Sequence, residues 1–70
     1  MRTGIAFYGD DEKQMKCAVL DLGGDSAKLK PATHGVLPNS FKLMLQPDGL
    51  YDCTVVRRSG YFLAVRLKPA

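Results

Sequence analysis

Apolar and polar residues alternate along this chain with a period of two, in one short run after another, and no other feature limits its fold as strongly. Phe41, Leu43 and Leu45 alternate with Lys42, Met44 and Gln46. Cys53 and Val55 alternate with Thr54 and Val56, and Leu63, Val65 and Leu67 with Phe62, Ala64 and Arg66. Met15, Cys17 and Val19 share one parity, with Lys16 and Ala18 on the other; Ile5 and Phe7 flank Ala6 in a first strand over about residues 3–8. Successive side chains of a strand point to opposite faces. Each run therefore buries one face, and the expected inward set is Ile5, Phe7, Met15, Cys17, Val19, Ala27, Leu29, Phe41, Leu43, Leu45, Cys53, Val55, Leu63, Val65 and Leu67.

Turn residues separate the runs. Gly9-Asp10-Asp11 parts the first two strands, Gly23 and Gly24 the next two, and Gln46-Pro47-Asp48-Gly49 makes a turn in which Pro sets one corner and Gly accepts positive φ at another. Ser59-Gly60 reads as a two-residue hairpin loop. The one long connection, residues 31–39, carries Pro31, Gly35 and Pro38, which argue against a helix. Six strands result. A chain of 70 residues buries only ~60% of the surface its unfolded form exposes. Closing the sheet on itself removes the exposed edges and gives so small a chain its best core. The expectation is an all-β fold, a small six-stranded antiparallel β-barrel forming a single domain over residues 1–70, with a fraying tail at Lys68-Pro69-Ala70.

Composition narrows the function classes. With 46% hydrophobic and 24% charged residues the chain is globular in character. No apolar run approaches the ~20 residues of a membrane helix, and no signal-peptide pattern opens the chain, so a cytoplasmic location without membrane insertion is expected. Cys17 and Cys53 each sit inside an apolar alternation and read as small core hydrophobes, reduced in that compartment. The single histidine, His34, lies in the long loop with no ligand spacing around it, and Asp10-Asp11-Glu12 followed by Lys13 reads as a solvated hairpin tip. No phosphate-binding glycine motif of the Walker or dinucleotide type is present. The expectation is a non-catalytic protein without cofactor or metal.

A net charge of +3 fits an anionic partner. The candidate site is the turn Asp21-Leu22-Gly23-Gly24-Asp25-Ser26, where two glycines free the backbone and carboxylate and hydroxyl groups cluster. Alternation places Lys28, Lys30, Arg58 and Arg66 on the outer surface, where they could gather beside that turn, and gives Arg57 the inward parity, to snorkel round the rim. Arginine suits phosphate because its planar fork donates two parallel hydrogen bonds.

Taken in order, Cys17-x-Val19-x-Asp21-Leu22-Gly23-x-x-Ser26-Ala27-x-Leu29, Leu37-Pro38-x-x-Phe41-x-Leu43-x-Leu45, Cys53-x-Val55-Val56-x-Arg58 and Leu63-Ala64-Val65-Arg66-Leu67 resemble a PilZ domain over most of the chain. That family's fold is a six-stranded antiparallel barrel, and its members typically bind the bacterial second messenger cyclic di-GMP. Its Asp/Asn-x-Ser-x-x-Gly turn holds a guanine, and an Arg-x-x-x-Arg segment before the first strand wraps the phosphates. Here Asp21 matches the first position, Gly23 stands in place of Ser and Ser26 in place of Gly; Arg2 is the only arginine before the first strand. The resemblance implies a signalling module with Asp21, Gly23, Gly24 and Ser26 on the guanine side and Arg2, Arg58 and Lys28 on the phosphate side, binding cyclic di-GMP weakly or no longer. A ligand-independent protein-interaction module, using outward Met44, Val56 and Phe62, is the alternative. A nucleic-acid-binding barrel ranks last, since only Tyr8 and Phe62 offer aromatic surface among the basic residues.

Overall fold

The structure, a computed structural model, describes residues 2–33, 35–45 and 49–70. His34 and the turn residues Gln46, Pro47 and Asp48 lie outside the described residues. Six strands, β1 (Arg2–Tyr8), β2 (Lys13–Gly23), β3 (Ser26–Pro31), β4 (Ser40–Leu45), β5 (Gly49–Ser59) and β6 (Phe62–Pro69), pair antiparallel throughout. They close into a barrel in the order β1-β2-β3-β6-β5-β4, so the closing seam joins β1 to β4. No helix occurs among the described residues, and none is long and apolar enough to cross a membrane.

Antiparallel pairing divides the connections between two ends. One end carries Arg2, the Gly24-Asp25 turn and Gly49; the other carries the loop from Gly9 to Glu12, the 31–39 connection and the loop between β5 and β6. Positive φ falls where the tight turns need it, at Gly24 (φ 56) between β2 and β3 and at Gly60 (φ 59) between β5 and β6. The second hairpin loop is Gly60-Tyr61, since Ser59 still pairs with Phe62, one residue later than the sequence suggests. The C-terminal tail is tied down. Lys68 and Pro69 pair with Asp52 and Tyr51, and the Ala70 N–H donates to the Leu50 carbonyl at 3.2 Å.

The interior follows the alternation in five of the six strands. Met15, Cys17, Val19, Ala27, Leu29, Phe41, Leu43, Leu45, Cys53, Leu63, Val65 and Leu67 are all buried, and no polar or charged side chain shares the core. Val55 is half-buried and packs against this core. β1 departs from expectation: Ile5 and Phe7 are only half-buried, whereas Gly4 and Ala6 face inward. The neighbours impose this parity. Gly4 pairs with Leu45 on one side and Cys17 on the other, and Ala6 with Leu43 and Met15, all inward residues. Leu43 and Leu45 fill the space β1 leaves. A Cβ at Gly4 would lie 3.0 Å from Leu43 Cδ1, 3.1 Å from Leu45 Cδ2 and 3.2 Å from the Met44 carbonyl oxygen. A small barrel has room for either large side chains on β4 or large ones on β1.

Leu37 is the second departure. It lies in the long connection yet is only 3% exposed, and it closes the core at that end of the barrel. The connection is held by the Ala32 N–H, which donates to the Lys16 carbonyl at 2.9 Å, and by the Asn39 carbonyl, which accepts from the Val55 N–H at 2.8 Å.

Gly4→Val should destabilise the barrel by roughly 1–3 kcal/mol through overpacking against Leu43 and Leu45. Gly23→Ala, whose Cβ meets nothing within 4 Å, should cost much less. Urea unfolding of the two variants measures the contrast.

Candidate functional site

The Asp21–Ser26 segment is built by two irregularities in the β2–β3 ladder. Leu20 pairs with Lys28 and Gly23 with Ser26, so β2 carries one residue more than β3 between those pairs. This is a bulge, and Asp21 within it adopts φ 50, a left-handed conformation that Asp tolerates better than most residues. Beyond it Gly23 and Ser26 close the tight turn. The Ser26 hydroxyl donates to the Gly23 carbonyl at 3.3 Å, and the Leu67 N–H on β6 donates to the Asp25 carbonyl at 2.6 Å. Ser26 does not take positive φ, so it satisfies the backbone where the resembled motif has Gly. Gly23 likewise has ordinary φ, and Gly24 is the position that requires glycine.

The register to β6 brings a cation to this turn. Ser26 pairs with Arg66 and Lys28 with Ala64. Asp21, Ser26, Lys28 and Arg66, with Val56 and Ala64 as apolar neighbours, line one open hollow of about 310 Å³. The Lys28 ammonium sits 4.9 Å from the centroid of the Phe62 ring, a cation–π contact that parks the charge at the edge of the hollow. Among the sequence candidates, Asp21, Ser26 and Lys28 are thus gathered, with Gly23 and Gly24 shaping the turn beside them. Arg2 opens β1 at the same end of the barrel, paired with Val19. Arg66, outward by alternation, becomes a site residue only once β3 and β6 are known to be neighbours.

Arg58 stands elsewhere, and a second bulge explains why. Val55 pairs with Val65 but Arg57 with Ala64, so Val56 is an extra residue in β5. The extra residue exchanges the expected parities. Arg57 takes the outward register of Ala64, and Arg58 the inward register of Leu63 at the end of the barrel that holds the long connection. There its Nη2 donates to the Leu37 carbonyl at 2.8 Å and to Asn39 Oδ1 at 2.9 Å. Arg58 therefore clamps the connection over the core, away from the Asp21–Ser26 turn. Val56 itself is 63% exposed beside the hollow. Phe62 lies on the neighbouring strand, whereas Met44 pairs with Leu50 at the other end of β5, so the three residues considered for a contact patch do not form one surface.

The remaining reactive groups lie apart from this turn. Asp10, Asp11 and Glu12 are exposed in the first hairpin loop, with Lys13 Nζ 3.9 Å from Asp11 Oδ2. Among the described residues no group of His, Cys, Asp and Glu is placed to hold a metal ion. Cys17 and Cys53 are free and buried. Burial pushes the Cys17 thiol up from 9.0 to about 11 and the Cys53 thiol to about 12, with Cys17 and Asp52 adding to the effect at Cys53. Both stay protonated at neutral pH, the form that is neither a strong nucleophile nor a metal ligand.

No family model matches this chain, and neither a curated protein nor a solved structure shows significant similarity to it.

Arg58→Ala should remove two hydrogen bonds from a charged donor and cost roughly 1–3 kcal/mol, with faster amide exchange at residues 35–39. Lys30→Ala, an exposed control, should leave both unchanged. The thiols predict a pH dependence of definite sign. Their raised pKa stabilises the fold fully below pH 9, and that contribution falls as pH rises toward 11 and 12. The stability deficit of Cys53→Ala relative to wild type should therefore shrink above pH 9, by up to about 1.4 kcal/mol per pH unit, in urea unfolding at pH 8, 10 and 11.

Proposed function

We propose that this barrel is a non-catalytic, PilZ-like signalling module that takes cyclic di-GMP weakly in the hollow between the β2–β3 turn and β6. The observation that carries this reading is the convergence of Asp21, Ser26, Lys28 and Arg66 on one open surface. Their chemistry fits the two halves of such a ligand. Lys28 and Arg66 supply positive charge for a phosphodiester, and Arg66 can present two parallel donors. The Asp21 carboxylate accepts hydrogen bonds of the kind a guanine edge donates, and Val56 and Ala64 offer apolar contact to a base face.

The affinity is expected to be low. Of the resembled Asp/Asn-x-Ser-x-x-Gly turn this chain keeps Asp21 alone, with Gly23 in place of Ser and Ser26 in place of Gly, and Arg2 lies within β1 rather than ahead of it. The side-chain hydrogen bond lost with that Ser is worth about 0.5–1.5 kcal/mol, up to tenfold in affinity. Arg66 brings a guanidinium to the hollow from β6. Arg58, engaged with Leu37 and Asn39, does not.

An amide-resolved NMR titration with cyclic di-GMP tests the reading. Shifts should cluster at residues 21–28 and 64–66 by millimolar ligand, weaken at least tenfold in Arg66→Ala, and persist in Lys42→Ala on the far side of the barrel. An absence of clustered shifts at millimolar ligand would sink the ligand role and leave the hollow to a protein partner, for which exposed Val56 is the natural anchor.

A further inference from the structure

The pairing of β3 with β6 lays four cations in single file down the outer wall of the barrel. β3 presents Ser26, Lys28 and Lys30 outward, and β6 presents Phe62, Ala64, Arg66 and Lys68. Lys28 stands opposite Ala64, and Arg66 opposite Ser26, so each cation faces a small side chain across the pair. The order down the wall is Lys30, Lys28, Arg66, Lys68. Outward positions lie two residues apart, so the file runs about 20 Å with a charge roughly every 7 Å. Arg57 on β5 pairs with Ala64 and adds a fifth cation beside it. No carboxylate neutralises the file. Asp52 pairs with Lys68 in the register, but its Oδ1 accepts from Lys42 Nζ on the other side at 2.7 Å. Asp21 and Asp25 belong to the turn at the Arg66 end. Among the described residues none of these three carboxylates forms an ion pair with Lys30, Arg66 or Lys68.

A line of evenly spaced, unneutralised charges suits a linear polyanion better than a compact anion or a membrane plane. Aromatic surface stands at one end of it. Leu29 pairs with Leu63, so Phe62 lies at the Lys30 end of the file, and Tyr61 in the adjoining hairpin loop is 65% exposed. Rings beside a basic track are how proteins hold single-stranded nucleic acid: the cations follow the phosphates while bases stack on the rings. An acidic peptide has no bases to stack, and the closed barrel offers it no strand edge to pair with here. We infer that the outer wall of β3 and β6 binds single-stranded nucleic acid. The inference does not depend on the cyclic di-GMP reading. The file shares Lys28 and Arg66 with the hollow but extends past it to Lys30 and Lys68, which do not line it.

Fluorescence anisotropy with a labelled oligouridylate of about 10 nucleotides tests it. Wild type should bind at low salt with a Kd of roughly 10–100 μM, and log K should fall with log salt at a slope of about −3, as four neutralised phosphates on a single strand require. Lys30→Ala and Lys68→Ala should each weaken binding at least threefold and flatten the slope by about 0.7, while any cyclic di-GMP shifts at residues 21–28 and 64–66 remain. Both lysines are exposed, so both variants are expected to fold. Tyr61→Ala should weaken binding at least fivefold with the slope unchanged, which electrostatic capture alone would not produce. Lys42→Ala, on the far side of the barrel, should change nothing. An oligonucleotide left unbound at millimolar protein, a slope indifferent to Lys30→Ala and Lys68→Ala, or equal capture of polyglutamate or phosphatidylglycerol vesicles with no effect of Tyr61→Ala would overturn the inference.

Discussion

The barrel closes where β1 meets β4, and that seam depends on how little side chain β1 carries inside. Gly4 and Ala6 lie opposite Leu45 and Leu43, whose side chains occupy the volume that a larger β1 residue would claim. A chain this small has one core to fill and no second layer to absorb a misfit. The contact at Gly4 therefore fixes three things together: the closure of the sheet, the packing of the two most enclosed leucines of β4, and the outward placement of Ile5 and Phe7. The outer face of β1, β4 and β5 follows from the interior without any further design.

The interior is apolar throughout its buried positions, including both cysteines. Polar ties are kept to the ends and the outer wall, where Arg58 fastens the long connection and the Leu67 N–H fastens the Asp21–Ser26 turn. The two ends thus differ in character. One is capped by Leu37 beneath a guanidinium clamp, and the other opens toward the glycine turn and the cations around it.

Much of this was legible in the sequence because a period of two is read directly from residue order. Five strands show their inward residues without ambiguity, and the strand count and barrel closure follow from turn spacing and chain length. β1 misleads because its large residues take the parity that the fold turns outward, and only the leucines across the seam reveal it. Bulges are equally silent in one dimension. Val56 interrupts the alternation between Val55 and Arg58 without any glycine or proline to announce it, so alternation alone puts Arg58 on the wrong wall. The glycine turn was visible from composition, whereas the joining of Arg66 to it needed the β3–β6 pairing, a contact between segments far apart in sequence.

The Val56 bulge also separates the lining of the hollow from the packing of the barrel. The ladder on either side of it, Val55 with Val65 and Arg57 with Ala64, is paired without the extra position. That residue projects from the wall beside the hollow while contributing neither a cross-strand partner nor core volume. Sequence drift there carries little folding penalty, and a lineage could reshape the hollow by changing one side chain, with the rest of the barrel left as it is.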